Sequence, residues 1–314
     1  MTGAIAAAGG RSRAAGIGLF LVALAGFASY DAFCKQMLQS YPAPFINLMR
    51  YVAVSAMALV MLLWHGELRL WRSPCRSLLL LRGAMLGTVA TCFMTALVWM
   101  PLAEATAIYF TAPLLMAALA PWMLGERFER GCLAALAAGA VGMLLIVRPG
   151  TGLPAQGVTL MAVAAICYAL FQLLTRRLAG RVPGPVQYAY TALVCLAMTG
   201  LPALFFLPSP WPPATDVLLL LLGGACSGAA QWLLLAAFGR VEAVTLAPLN
   251  YLQLLLAVAI SAFWFQRPPD ALALAGIALI ILGGVSLAHG QRRLAGEAAA
   301  RPLAAGHTQI DNRT

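Results

Sequence analysis

A carboxylate and a proline lie together in an otherwise apolar stretch, where each has chemical consequences. Residues 101–115 read PLAEATAIYFTAPLL, with Glu104 near the start and Pro113 near the end. Glu104 falls in the first turn of a predicted helix, where unpaired N–H groups and the helix dipole favour a carboxylate. An acid in an apolar segment is also a candidate proton or cation site, and both interpretations stay open. Pro113 leaves a mid-helix carbonyl without its partner, so we predict a kink there.

Three further charged residues cluster where the first apolar segment ends and the second begins. Asp31 and Lys35 are one helical turn apart and are able to pair directly. Arg50 lies deeper and has no acidic neighbour on its own helix, so we expect Asp31 to be its partner. The group is either an interfacial ion pair or a gate that attracts substrate. The candidate gate residues are therefore Asp31, Lys35, Arg50 and Glu104.

A second group of candidates consists of polar and aromatic side chains in the middle of apolar segments. Amides are costly in lipid, so Gln172 and Gln231 are expected to face protein or a cavity. The alternative is hydrogen bonding between packed helices, about 0.6 to 2 kcal/mol per contact, which suits the threonines best. Aromatic rings at the same depth offer stacking surfaces for a planar compound. The candidate cavity residues are Thr91, Thr95, Tyr109, Tyr168, Gln172, Gln231, Asn250 and Tyr251.

No set of residues in the sequence resembles a catalytic or metal centre. The histidines, His65, His289 and His307, lie at segment ends or in the tail, and the seven cysteines form no C-x-x-C pair. We therefore expect the protein not to be an enzyme and to hold no metal, cofactor or disulfide.

The composition is that of a membrane protein. Of the 314 residues, 62% are hydrophobic and 10% are charged, and the mean hydropathy is +0.87. The 20 basic residues outnumber the 10 acidic ones, but the arginines form short clusters between apolar runs. That distribution indicates membrane topology rather than a nucleic-acid-binding face. The lipid bilayer is an expected partner and nucleic acid is not.

Apolar length predicts ten membrane spans. A helix rises about 1.5 Å per residue, so about 20 apolar residues cross about 30 Å of hydrocarbon. The first span also fits a cleaved secretory signal, but the internal repeat described below favours its retention. The predicted spans are 14–34, 43–63, 78–99, 103–124, 130–147, 157–178, 186–207, 216–238, 243–265 and 271–289.

The basic residues predict that both termini are cytoplasmic. With the N-terminus inside, sixteen arginines fall in cytoplasmic segments, including Arg82 near the start of the third span. Lys35, Arg148 and Arg267 fall outside, and Arg50 lies within a span. An excess of arginine and lysine marks the cytoplasmic side of a membrane.

The two halves of the chain align at an offset of 138 residues. That offset places Tyr30 on Tyr168 and Glu104 on Glu242, with two further identities. Chance alignment of two apolar arrays is the alternative to a true repeat. Because each half has five spans, the second half enters the membrane from the opposite side, an architecture suited to alternating access. The recurrence at Glu242 favours the helix-start interpretation of Glu104.

The opening stretch begins a longer pattern, PLAEATAIYFTAPLLMAALAPWMLGERF, followed by a helix ending in GMLLIVRPG. This pattern is similar to the fourth and fifth helices of EamA-type transporters of the drug/metabolite transporter superfamily. Arg50 after YPAPF and LLRG at 80–83 fit the same resemblance, which covers essentially the whole chain. The chain looks most like the bacterial riboflavin and S-adenosylmethionine importers. It departs from the pattern at Gln266, the rough counterpart of Glu126, so the role of Glu126 is not duplicated.

The resemblance implies an all-α membrane protein with ten transmembrane helices in two inverted five-helix EamA repeats. Its parts are a cytoplasmic N-terminal segment at 1–13, a first repeat at 14–150, a second repeat at 151–290 and a disordered cytoplasmic tail at 291–314. Helices 1, 3, 4, 6, 8 and 9 are implied to line a central cavity.

The implied function is secondary transport of a small organic metabolite across the bacterial inner membrane by alternating access. The expected substrate is a planar or polar compound similar to riboflavin or S-adenosylmethionine, and a proton or another ion is a candidate for coupling. An exporter of amino acids or drugs is one alternative, and a channel or structural membrane protein is another.

Overall fold

The computed structural model describes residues 2–66, 75–124, 130–147, 153–178, 181–238, 240–241 and 246–307, and every regular element in these ranges is helical. The described ranges contain eleven α-helices and a 3-10 turn at Ala247–Asn250. In chain order the helices are α1 Thr2–Met37, α2 Ala43–His65, α3 Arg76–Trp99, α4 Leu102–Tyr109, α5 Ala112–Leu124, α6 Arg130–Val147, α7 Ala155–Leu178, α8 Gly184–Ala203, α9 Ala214–Phe238, α10 Tyr251–Phe263 and α11 Ala271–His307. The all-α prediction is confirmed.

The described helices are those of a multi-pass membrane protein. Seven segments are long and apolar enough to cross a membrane. Three shorter apolar helices, at Leu133–Val147, Tyr251–Phe263 and Ala271–Leu287, fall in the predicted fifth, ninth and tenth spans. The count of ten spans therefore stays a prediction.

Both ends of the chain are more helical than predicted. α1 begins at Thr2, ahead of the predicted start at residue 14. α11 continues to His307, so the tail predicted to be disordered from Gln291 is helical that far, and residues 308–314 lie outside the described ranges. The physical reason is composition, because the alanines and leucines of this tail have high helix propensity.

The predicted fourth span is broken into two helices. α4 ends at Tyr109, Phe110 and Thr111 form a turn, and α5 begins at Ala112. Pro113 has no N–H to donate to the preceding turn, and where a kink was predicted the structure has a full break between two helices. The Thr111 hydroxyl donates to the Ile108 carbonyl at 2.7 Å and so satisfies one carbonyl at the end of α4.

A related sequence occurs in the second half. The tripeptide Ala-Pro-Leu at 112–114, which opens α5, recurs at 247–249, where it forms the 3-10 turn that precedes α10. Each half of the chain thus has this tripeptide at, or directly before, the start of a described helix.

Helices from the two halves pack against one another in matching pairs. α1 packs along α9 as α7 packs along α3, and α2 contacts α9 as α8 contacts α3. Two further pairs, α2 with α8 and α6 with α11, join corresponding helices of the two halves. These pairs are unchanged when the halves are exchanged, as expected for a two-repeat fold.

The crossing of α6 and α11 depends on two glycines. A Cβ on Gly142 would lie 2.6 Å from the Gly276 carbonyl oxygen, and a Cβ on Gly276 would lie 2.5 Å from the Gly142 carbonyl oxygen. Gly283 lies against the Ala135 backbone in the same interface. Small residues let helix backbones approach in this way.

Candidate functional site

A central cavity lies between the two halves. It contains about 1230 Å³ of empty space, part of it open to solvent. The implied lining helices 1, 3, 4, 6, 8 and 9 correspond to α1, α3, α4 with α5, α7, α9 and α10, and all of them contribute residues. α2 contributes as well, through Arg50 and Tyr51.

One wall of the central cavity is aromatic. Tyr109, the last residue of α4, lies with its ring centroid 4.9 Å from that of Tyr168 on α7. Phe93 on α3 meets Tyr109 edge to face at 5.4 Å, and Phe171 stacks on Tyr168 at 5.9 Å. These separations are those of favourable ring pairs, so the wall is a preformed stacking surface. Both predicted tyrosines, Tyr109 and Tyr168, belong to it.

Amide side chains occupy other positions on the same walls. Gln172 on α7, Gln231 on α9 and Asn250 at the end of the 3-10 turn all line the central cavity, as predicted from their cost in lipid. Gln172 donates to the Tyr168 hydroxyl at 3.3 Å, which joins the amides to the aromatic wall. Gln253 on α10 also lines the cavity.

The charged residues of the central cavity are Asp31 and Arg50. Asp31 accepts a hydrogen bond from Gln253 at 3.3 Å. The Arg50 guanidinium lies 4.7 Å from the Tyr30 ring centroid and 5.4 Å from that of Tyr51, a cation–π arrangement. Its Nε is buried and has no hydrogen-bond partner in the described part of the chain. Arg50 and Asp31 share the cavity without forming the predicted ion pair.

Three predicted cavity residues do not line the central cavity. Thr91 is exposed and its hydroxyl donates to the Gly87 carbonyl of its own helix, and Thr95 is also off the cavity wall. The face of α3 that lines the cavity carries Leu86, Val89, Ala90 and Phe93 instead. Because successive helical residues are about 100° apart, Thr91 is turned away from that face.

Tyr251 is the third of these residues. It is 3% exposed, its hydroxyl has no described partner, and its ring lies against Gly284 between α10 and α11. Tyr251 also contacts the Phe110 ring, with 5.9 Å between centroids. It belongs to the apolar core rather than to the cavity.

Lys35 is a helix cap and not the ion-pair partner of Asp31. Its ammonium donates to the Leu97 carbonyl at 2.5 Å and to the Met100 carbonyl at 2.9 Å. These carbonyls end α3, where unpaired oxygens and the negative end of the helix dipole attract a cation. The predicted Asp31–Lys35 pair is therefore wrong, because the two side chains turn to different helices.

Glu104 lies in the first turn of α4, as predicted. Its carboxylate bonds its own backbone N–H, while the other oxygen, Oε2, is buried without a partner among the described residues. The first contact fits the helix-start interpretation and the second fits an ion or proton site. Glu242, the proposed counterpart, lies outside the described residues.

Arg82 is a buried residue that the sequence interpretation counted as a cytoplasmic loop charge. It is 5% exposed, and its Nε donates to the Thr175 hydroxyl at 2.7 Å. Its Nη1 donates to the Gln187 carbonyl at 3.1 Å and to the Thr191 hydroxyl at 2.5 Å. The guanidinium carbon lies 4.4 Å from the Phe171 ring centroid. The sequence did carry a signal of this burial. Arg82 falls four residues inside the predicted third span 78–99, and a charged residue within a span faces protein or a cavity.

The turn between α1 and α2 is tied to the start of α9. The Tyr41 hydroxyl donates to the Asp216 carboxylate, and this hydrogen bond raises the pKa of the Tyr41 phenol. Phe45 and Trp211 meet edge to face nearby, with 5.8 Å between centroids. These contacts join the two halves at one end of the bundle.

The known proteins similar to this chain that are named below are transporters or exporters. The EamA-like transporter family matches the chain twice, at residues 14–148 and 155–288. An S-adenosylmethionine uptake transporter of Rickettsia felis is 25% identical over 88% of this chain and 94% of its own length. A pseudopaline exporter of Pseudomonas aeruginosa is 26% identical over 86% of this chain and 95% of its own. A riboflavin transporter of Rhizobium johnstonii is 26% identical over 71% and 72%.

A solved crystal structure, 22% identical in sequence, superposes with a TM-score of 0.64 over 90% of this chain and 98% of its own. That similarity supports the fold alone. The two family matches cover most of the chain, which confirms the resemblance carried by the residue 101–115 stretch. The chain belongs to the EamA-like transporter family.

Proposed function

We propose that the protein is a secondary transporter that moves a small organic metabolite with a planar ring across the bacterial inner membrane by alternating access. The observation that carries the proposal is the central cavity, whose walls combine Tyr109 and Tyr168 with Gln172, Gln231 and Asn250. Rings stack on the aromatic wall and amides supply directional hydrogen bonds. Because the two halves supply different walls, rocking one half against the other would expose the cavity to each side in turn.

The named relatives support uptake of a ring-bearing metabolite. The S-adenosylmethionine uptake transporter and the riboflavin transporter both have substrates with fused planar rings, which match the stacking surface at Tyr109 and Tyr168. Uptake of such a compound is the direction that we propose first.

Export is the second candidate. The pseudopaline exporter matches the chain at the same level of identity and over a similar share of its length. Exporters of amino acids or drugs belong to the same alternative. A channel or a structural membrane protein is a different class, against which the two-walled cavity and the matching helix pairs of the two halves argue.

We further propose ten spans with both termini in the cytoplasm. The described helices supply seven long spans and three shorter apolar helices. The arginine bias on which the orientation rests survives the removal of Arg82 from the count, since the other fifteen cytoplasmic arginines keep their assignment. Reporter fusions at the two termini test the orientation, and a periplasmic signal from either terminus contradicts it.

The test of function is uptake by cells and by proteoliposomes that contain the protein. Labelled riboflavin, S-adenosylmethionine and aromatic amino acids are supplied in parallel. The triple variant Gln172→Leu, Gln231→Leu, Asn250→Leu removes the cavity amides, and Thr91→Val removes a polar group outside the cavity as a matched control. We expect saturable entry of one compound in the wild type and the control, and its loss in the triple variant.

Each other outcome has a distinct meaning. Unchanged entry in a normally expressed triple variant would move the site away from these amides. Entry that does not saturate would indicate a channel. Absence of entry with folded protein in the membrane would contradict uptake, and efflux from loaded proteoliposomes would then support the exporter.

Coupling to a proton is a separate proposal about the two acids. Asp31 lines the central cavity, and the Oε2 atom of Glu104 is buried without a described partner. If either acid carries the coupling proton, Asp31→Asn or Glu104→Gln will abolish the stimulation of uptake by a pH gradient while exchange of substrate for substrate continues.

A further inference from the structure

A second cavity adjoins the central one and contains a buried arginine. It holds about 790 Å³ of empty space and is lined by residues of α2, α3, α7, α8 and α9, including Arg82. Arg50, Tyr51, Leu86 and Gln231 line both cavities, so the two compartments share a wall. We call the second compartment the arginine cavity.

The two cavities together carry a surplus of positive charge. Arg50 and Arg82 lie on their walls, and Asp31 is the one acid among the described lining residues. Neither arginine forms an ion pair with a described residue, and Arg50 Nε is buried without a partner. Asp31 offsets one of the two arginines, so one positive charge on largely apolar walls has no counterion among the described residues, and such a charge attracts an anion.

The contacts of Arg82 hold its guanidinium without neutralising it. Its partners are the hydroxyls of Thr175 and Thr191 and the carbonyl of Gln187, all of them uncharged. The Phe171 ring lies beneath the guanidinium plane. These bonds to described residues occupy the Nε–H and both Nη1–H donors, so a carboxylate would be bound through Nη2.

The second half has no equivalent arginine. Gly83 of α3 and Gly224 of α9 occupy matching positions, since each packs against the facing half and is followed by another glycine four residues later. The residue before Gly83 is Arg82, whereas the residue before Gly224 is Gly223, where a Cβ would lie 2.8 Å from the Phe33 ring. The positive site is therefore built on one side of the cavity system only.

We propose that the arginine cavity binds the carboxylate of the transported compound between Arg50 and Arg82, while the ring of the same molecule stacks on Tyr109 and Tyr168. This inference rests on the proposed function and names its substrate class, a metabolite that carries both a planar ring and a carboxylate. S-Adenosylmethionine has both groups. Riboflavin lacks the carboxylate and would occupy the central cavity alone.

The experiment compares compounds that differ only in the carboxylate. Binding to the purified protein in nanodiscs is measured by calorimetry for S-adenosylmethionine and its decarboxylated analogue, for tryptophan and tryptamine, and for riboflavin. The variants are Arg82→Gln and Arg50→Gln, with Arg82→Lys to keep the charge. Arg76→Gln is the matched control, because Arg76 is an exposed arginine on the same helix.

We expect the wild type to prefer the carboxylated member of a pair by about 10- to 100-fold, the effect of one charge-assisted hydrogen-bond set. Arg82→Gln and Arg50→Gln should abolish that preference while the decarboxylated member binds as before, and Arg76→Gln should preserve it. A purely structural role of Arg82 would weaken both members of a pair equally.

The failures are distinguishable. Equal binding of both members by the wild type would overturn the carboxylate site and leave the carrier proposal standing. A preference that persists in both glutamine variants would overturn the assignment to these arginines. Failure of every compound to bind folded wild-type protein would overturn the proposed function, and the carboxylate site with it.

Discussion

The two halves of the molecule share a backbone design but differ in the chemistry that they bring to the cavities. Each half has an Ala-Pro-Leu tripeptide at, or directly before, the start of a described helix, and helices pair across the halves in a matching pattern. Yet the charged groups on the described cavity walls, Asp31, Arg50 and Arg82, all come from the first half. The described residues of the second half supply amides and hydroxyls instead.

This difference separates what the fold requires from what the ligand requires. Positions that keep helices close, such as Gly142 and Gly276, recur in both halves because the packing is symmetric. Charged positions do not recur, because a small asymmetric ligand presents its carboxylate to one side only. Symmetric residues should therefore affect stability, and asymmetric residues should affect binding.

The largest expected effect is at the symmetric crossing. Gly142→Leu and Gly276→Leu each force a side chain into the backbone of the other helix, so we expect both to lower the free energy of unfolding by about 1 to 3 kcal/mol or more. Thermal unfolding in detergent measures the effect. Gly18→Leu is the control, since a Cβ there meets no atom within 4 Å. Unequal losses of unfolding free energy at Gly142 and Gly276 would contradict the claim that the two glycines have equivalent roles.

The next largest effect is expected on substrate affinity. It compares the loss of a charged residue from the first half with the loss of an amide from the second half. Arg50→Gln should raise the dissociation constant of a carboxylated substrate by about 10- to 100-fold, and Gln231→Leu by about 2- to 10-fold, because hydrogen bonds to charged groups are the stronger ones. Titration of both variants in nanodiscs, with Thr95→Val as control, checks the order. A larger loss at Gln231 would reverse the comparison.

A smaller effect is expected at Lys35, which contributes to stability rather than to binding. Lys35→Met leaves two carbonyls at the end of α3 without their donor and should cost about 0.5 to 1.5 kcal/mol. Chemical or thermal unfolding measures the loss, with Lys35→Arg as the charge-preserving comparison. A change in substrate affinity without a change in stability would contradict the cap and restore the gate interpretation.

The smallest effect is at the tie between Tyr41 and Asp216. Tyr41→Phe removes one exposed hydrogen bond between the halves and should lower the melting temperature less than Lys35→Met does. Because the bond raises the phenol pKa, its contribution is present at neutral pH and is lost as the pH rises through that raised value. A wild-type advantage over Tyr41→Phe that persists at high pH would contradict this assignment.

Sequence alone predicted the helical elements correctly, and several of its candidate cavity residues lie on the wall of the central cavity, for identifiable reasons. Runs of apolar residues located the helices, because lipid imposes their length. Pro113 marked the broken helix, because its ring removes a backbone donor. Gln172, Gln231 and Asn250 were found because amides are costly in lipid, so composition alone points them inward.

What the sequence could not supply was the rotation of each helix and the choice among partners. Thr91 and Tyr251 lie at the same membrane depth as the cavity, but on sides of their helices that do not face it. Position along a span specifies the depth of a residue and not the side of the helix on which it lies. Lys35 had an acid one turn away, yet the end of α3 was the partner that tertiary packing placed within reach. The place of Arg82 inside the predicted third span pointed to its burial, but not to its polar partners, which come from α7 and α8, about a hundred positions away.

The reciprocal contact of Gly142 and Gly276 also defines a reference point for distance measurements. A residue pair that maps onto itself when the halves exchange lies on the axis that relates the two halves, so each half extends from it in an equivalent way. Distances measured by spectroscopic labels from this crossing would therefore describe each half against one shared reference. Labels placed only on the moving parts would report a sum of two displacements.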